Sequence, residues 1–145
     1  SDVYKRQTWS VQSSQKLICL YDDMEKIKCI CVMRELFKAL SSLESELEAK
    51  YGVSLNEAMV LCSIGKETVT AGTIGERTGL MASHTSKVIG KVEEKGLLVR
   101  SLGEKDKRQM YFTLTEKGHA CLQEVADKGV DVPEVLLPFF NAYKD

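Results

Sequence analysis

A mainly helical fold carrying one small β-hairpin is what this sequence predicts, and three observations predict it. Apolar residues recur at spacings of three and four over much of the chain, glycines stand just past the ends of those periodic runs, and only two short stretches, Leu97 to Leu102 and Met110 to Leu114, have the composition and alternation of strands. With 145 residues, 43% of them apolar and only two prolines, the chain is long enough to bury one core and short for two ordinary domains. A single domain over 22–145 is therefore expected.

The elements follow in order. Ser1 to Gln15 is polar and aperiodic and lacks an initiating methionine, so residues 1–21 are expected to be a poorly defined segment, non-native in part. Asp22 with Glu25 three residues later reads as a capping-box start. From there Met33, Leu36, Leu40, Leu43 and Leu47 mark a long amphipathic helix that runs to Gly52. Its nearly heptad stripe needs a partner helix, either in this chain or in a second copy. Ser54 caps a shorter helix, Leu55 to Ile64, whose Leu55, Ala58, Met59 and Cys62 share one side and read as core.

Thr70 opens the helix Ala71 to Thr78, with Ile74 as its inward anchor, and Gly79-Leu80 makes a tight exit. The next helix, Ala82 to Lys95, places Thr85, Val88, Ile89 and Val92 on one face and leaves Ser83, His84, Ser86, Lys87, Gly90 and Lys91 on the other. Two short helices joined by a glycine turn make a helix-turn-helix. After Gly96 the two strands flank Gly103 to Gln109, a charged and flexible tip. Thr115 and Glu116 begin a helix to about Lys128. Beyond Gly129, Val135, Leu136, Leu137, Phe139, Phe140 and Tyr143 form an apolar terminus that needs cover. No internal repeat or low-complexity segment is present.

The formal net charge of −1 argues at first against a polyanionic partner. The average hides an asymmetry. Between Thr70 and Gly118 nine cations (Arg77, Lys87, Lys91, Lys95, Arg100, Lys105, Lys107, Arg108 and Lys117) face six anions, while the remainder carries eleven cations against fifteen anions. A local excess of three positive charges on an acidic body suits a phosphate-contacting face. Five cysteines at irregular spacing indicate neither a disulfide framework nor zinc knuckles. With no apolar run of membrane-spanning length and no signal-peptide pattern, a soluble protein of the reducing cytoplasm, without cofactor or metal, is expected. Two histidines, His84 and His119, and the absence of a phosphate-binding glycine loop or nucleophile motif leave little from which to build an enzyme.

Helix, turn, helix and then a hairpin tipped by Glu104-Lys105-Asp106-Lys107-Arg108 is the order of a winged helix. In that arrangement the second helix enters the major groove of double-stranded DNA. Ala82 and Ser83 allow close approach, Ser83, His84 and Ser86 reach base edges, and Lys87 and Lys91 reach guanine acceptors or phosphate. Lys105, Lys107 and Arg108 lie over the neighbouring backbone, with Arg108 aimed into the minor groove and Asp106 orienting its guanidinium.

Several residues resemble the multiple-antibiotic-resistance-regulator (MarR) family of bacterial transcription factors. The likeness is concentrated in Leu55 to Gly118: Leu55-Asn56-Glu57-Ala58, Ile74-Gly75-Glu76-Arg77-Thr78-Gly79-Leu80, the run Lys91 to Arg100, Asp106-Lys107-Arg108, and Leu114-Thr115-Glu116-Lys117-Gly118. The resemblance implies a symmetric homodimer in which 22–52 and 116–145 are dimerisation helices and 55–115 is the DNA-binding lobe. It further implies a repressor that binds a palindromic operator and responds to a small-molecule effector at the junction of lobe and dimer helices. Three residues depart from the pattern: Met81 stands where a polar helix cap is usual, with capping expected to pass to Ser83; Thr85 replaces a common valine; and Gly90 interrupts the second helix. The helix after Gly118 also reads as shorter than usual.

Two other readings stand beside this one. A winged helix used only for protein interaction fits the overall acidity, and salt-sensitive DNA binding discriminates against it. A redox-sensing regulator would use Cys19, Cys29 or Cys31, near the start of the first long helix, where one branch of the family senses organic hydroperoxides. Cys29 and Cys31 are poor metal ligands, because residues two apart on a helix point to different sides.

Overall fold

A computed structural model describes residues 24–143, with side chains from residue 28 onward. Its elements are α1 (Met24–Tyr51), α2 (Leu55–Ile64), α3 (Ala71–Thr78), α4 (Ala82–Glu94), β1 (Leu98–Leu102), β2 (Met110–Leu114), α5 (Glu116–Lys128), a 3-10 turn (Glu134–Leu136) and α6 (Leu137–Ala142). The fold is thus mainly helical with a hairpin wing. The expected start of α1 at Asp22 lies outside the described residues, as does Cys19. By compactness the chain divides into two units, residues 44–131 and residues 24–43 with 132–143. No helix among the described residues is long and apolar enough to cross a membrane.

Local signals account for the element boundaries in the larger unit. Ser54, Thr70 and Thr115 adopt extended backbone and accept the N–H of the residue three positions on, Glu57, Thr73 and Gly118 respectively, which satisfies one of the orphan donors at each helix start. Gly79 ends α3 in the left-handed region at φ 77°, where a side chain would be strained. The helix α4 is the exception. Its N-cap is Met81, with no side-chain cap bond, so the capping role expected of Ser83 is not taken up.

The core of this unit joins Val60, Leu61 and Ile64 of α2 to Ile74 of α3, Val88, Ile89 and Val92 of α4, and Leu98, Phe112 and Leu114 of the hairpin. Thr85, Val88, Ile89 and Val92 are the buried face of α4, as its periodicity predicts. The expectation for α2 needs correction. Its inward face is Glu57, Val60, Leu61 and Ile64, whereas Leu55, Ala58 and Met59 are half-buried and Cys62 is exposed. The helix is apolar round most of its circumference, so periodicity could not choose the face, and Glu57 is drawn inward by an ion pair with Lys95.

The strands pair antiparallel from Leu98 opposite Leu114 to Leu102 opposite Met110. Val69 adds a short third edge, exchanging both backbone hydrogen bonds with Phe112 at 3.0 and 2.7 Å. The wing tip is closed by its own hydrogen bonds: Gly103 N–H to the Gln109 carbonyl at 2.8 Å, and Gln109 N–H to the Asp106 carbonyl at 3.0 Å.

In the smaller unit the stripe expected along α1 is only partly inward. Cys31, Ala39 and Leu43 are buried, while Met33 and Leu40 are exposed together with Ile30, Val32 and Phe37. From the C-terminal segment Leu136 is buried, and Val135, Leu137, Phe139, Phe140 and Tyr143 are exposed. The expectation that these residues need cover is not met within one chain.

The C-terminal end of α4 is seated on the first turn of α5. Thr115 N–H donates to the Leu97 carbonyl at 3.0 Å, its hydroxyl to the Gly96 carbonyl at 2.7 Å, and Lys117 Nζ to the Lys95 carbonyl at 3.0 Å. Gly118 makes this approach possible, since a Cβ there would stand 2.0 Å from the Leu97 oxygen. Gly118→Ala is expected to lower stability by about 3 kcal/mol through overpacking. Urea denaturation checks this, and a midpoint equal to that of the parent would contradict it.

Candidate DNA interface

The buried stripe of α4 leaves its opposite side to solvent. Ala82, Ser83, His84, Ser86, Lys87 and Lys91 are all exposed, and all lie on that side or at the leading end of the helix. Gly90 does not break the helix. It leaves a shallow depression in the exposed face, bordered by His84, Ser86, Lys87, Lys91 and Glu94. At the wing tip Lys105, Asp106, Lys107 and Arg108 are exposed as well. The Asp106 carboxylate accepts the Arg108 backbone N–H at 3.0 Å and Arg108 Nε at 3.3 Å, while the Arg108 side chain remains 93% exposed. The orienting contact expected between these two residues is present, and in so exposed a position it contributes only about 0–1 kcal/mol.

The nine cations counted in 70–118 divide by task. Arg77 donates to the Ser63 carbonyl and pairs with Glu67, both at 2.6 Å. Lys95 reaches the Gly52 carbonyl at 2.8 Å and the buried Glu57 carboxylate at 2.6 Å, so the end of α4 is held to α2 and to the residue after α1. Arg100 grips Glu93 with two hydrogen bonds of 2.7 and 2.8 Å and lies over the Phe112 ring at 5.7 Å. Those hydrogen bonds hold the Glu93 carboxyl below its ordinary range and raise Arg100 further. Lys117 is used at the α5 seat. What remains without an ion pair to any described residue is Lys87, Lys91, Lys105 and Lys107.

The free positive charge is therefore narrower than the sequence count, and it falls on the same two elements as the exposed polar residues. Spacing did not reveal the carriers of this face: Glu57, Lys95, Thr115 and Gly118. Glu57 did carry a readable signal, as the one charged residue of a mostly apolar helix.

The exposed face of α4 ends in a turn held from beneath. Thr85 is 1% exposed, and its hydroxyl is shared between the Met81 carbonyl at 2.9 Å and the Leu80 carbonyl at 3.3 Å. The hydroxyl that replaces a valine methyl is thus satisfied, as burial requires.

Among the cysteines, Cys29 is exposed and Cys31 buried, consistent with their pointing to different sides of α1. Burial raises the Cys121 thiol above its usual range.

Residues 53–118 match the family model of a winged helix DNA-binding domain. The chain is 30% identical over 122 residues to the organic hydroperoxide resistance transcriptional regulator of Bacillus subtilis, an alignment spanning 81% of this chain and 78% of the relative. It is 31% identical to the transcriptional regulator SarZ of Staphylococcus aureus over 84 residues, 57% of each chain. Among solved structures, AbsC from Streptomyces coelicolor, a MarR family transcriptional regulator, superposes with a TM-score of 0.63. That match covers 86% of this chain and 92% of AbsC at 23% identity, a likeness of fold.

Fold, charged face and relatives together define a winged-helix transcriptional regulator. The chain belongs to the MarR family.

Proposed function

We propose that this chain acts as a homodimer on an inverted-repeat operator, each subunit laying α4 in the major groove and its wing tip on the flanking backbone. The observation that carries the reading is the coincidence on α4 and the wing of short exposed polar residues with the four lysines left free by the scaffold. Ala82, Ser83, His84 and Ser86 face base edges, Lys87 and Lys91 face guanine or phosphate, Lys105 and Lys107 face phosphate, and Arg108, steadied by Asp106, enters the minor groove. The ten exposed apolar residues of the smaller unit support the dimer, because the largest apolar patches on soluble chains mark association surfaces. Bound across a promoter, such a dimer represses by occlusion, and an effector that favours the state unable to bind DNA relieves the repression.

Selection from random duplexes is expected to recover an inverted repeat with half-site centres about 10 base pairs apart. No enrichment at low salt would favour a protein-interaction module instead. On the recovered site Lys87→Ala and Arg108→Ala should each weaken binding by about tenfold without changing the sedimentation coefficient of the free protein; unaltered affinity in both would remove the assignment of this face. Phe37→Glu, which puts a charge on the exposed stripe of α1, is expected to convert the dimer to a monomer in sedimentation velocity. A dimer that persists would place the interface elsewhere.

A second reading is favoured by the exposed thiol of Cys29 together with the similarity to a regulator of organic hydroperoxide resistance. Here a hydroperoxide oxidises the Cys29 thiolate to a sulfenic acid and is itself reduced to the alcohol. Operator binding should then be lost on adding cumene hydroperoxide and retained in Cys29→Ser. Equal sensitivity of the two proteins would exclude Cys29 as the sensor.

A further inference from the structure

Met81 is chemically out of keeping with the surface that carries it. It is the N-cap of α4, it makes no capping hydrogen bond, and 78% of its surface is exposed beside the small residues Ala82 and Ser83. Serine, threonine, aspartate or asparagine at that position would stabilise the helix start. A single exposed hydrophobe is ordinary; one whose backbone is pinned at the leading end of a DNA-facing helix is not. The Thr85 hydroxyl and the Thr85 N–H both donate to the Met81 carbonyl, at 2.9 and 2.8 Å. From the other side Gly75 lets α3 come close to the turn, since a Cβ there would lie 3.4 Å from Thr85 Oγ1 and 3.6 Å from the Leu80 carbonyl. The side chain of Met81 therefore extends into solvent from a fixed point.

Building on the reading that α4 enters the major groove, we propose that Met81 is a specificity-determining residue that contacts the C5-methyl group of a thymine. Residues at the N-terminal end of a recognition helix are the ones that meet base edges. On those edges an unbranched apolar side chain finds its best complement in the thymine methyl, the one apolar group there that stands out from the ring and can be buried against it. Ser83 and His84 beside it read donors and acceptors, so Met81 adds the discrimination that they do not supply. Its flexible thioether adapts to the methyl without demanding a fixed hydrogen-bond geometry.

The test uses the operator recovered by selection, with each thymine of one half-site replaced in turn by deoxyuridine, which lacks only the methyl. Equilibrium affinity is measured for the parent, Met81→Leu and Met81→Ser. One deoxyuridine position is expected to weaken the parent and Met81→Leu by about fourfold, the loss of roughly one buried methyl group, and to leave Met81→Ser unaffected. Serine is a favoured N-cap, so Met81→Ser should melt no lower than the parent, which separates lost reading from lost folding. If no deoxyuridine position weakens the parent, or if Met81→Ser shows the same penalty, the proposal is overturned while the operator reading stands. If the parent selects no duplex at all, the operator reading falls and this proposal falls with it.

Discussion

Helix α4 ends against the first turn of α5, where the Leu97 carbonyl oxygen lies so close to Gly118 that a Cβ there would be 2.0 Å away. No side chain fits between them. Because glycine removes that barrier, three successive carbonyls, of Lys95, Gly96 and Leu97, receive donors from Thr115 and Lys117. Lys95 is the C-cap of α4, and its carbonyl is one that a helix terminus would otherwise leave to solvent. The next residue, Leu98, begins the wing, and Leu114, just before Thr115, ends it. One contact therefore fixes the end of α4, the root of the hairpin and the direction in which α5 leaves.

The rest of the scaffold extends that constraint. Lys95 ties the same end of α4 to Glu57 of α2 and to the Gly52 carbonyl, so a buried carboxylate and its cation hold three segments in register. Removing one partner of such a pair costs far more than the pair itself contributes, because an unpaired charge is left inside. At the opposite end Thr85 holds the Leu80–Met81 turn, and Val88, Ile89 and Val92 fasten the helix along its length. The outward face is thereby free of any structural task. Its short polar residues and free lysines bear no part of the packing, and a helix held at both ends and along one side presents them on a backbone with little freedom left to lose on binding.

Much of this was legible in the sequence. The limits of α2, α3, β2 and α5 agree with those read from Ser54, Thr70, Thr115 and the following glycines, because caps act over three or four residues and leave a local mark. The buried face of α4 was equally plain, since its apolar positions are few and regularly spaced. The inward face of α2 was not, as apolar residues surround it and the decisive feature, Glu57 meeting Lys95, spans 38 positions. The stripe on α1 misled in a different way: Met33 and Leu40 share a period with Leu43 and Leu47, yet only the latter pair is buried in one chain. Charge counting placed the basic region correctly but overstated it. Arg77, Lys95, Arg100 and Lys117 hold the scaffold together, and only distances separate them from the lysines left free.

In the function proposed, these free cations meet phosphate while the exposed face of α4 meets bases. The most direct measurement is the equilibrium affinity for a duplex carrying the selected site as salt concentration is varied, for the parent and for a variant lacking the Lys87 charge. The logarithm of affinity is expected to fall linearly with the logarithm of salt, with the variant's slope shallower by about one. Affinity indifferent to salt, or the same slope in both proteins, would contradict it.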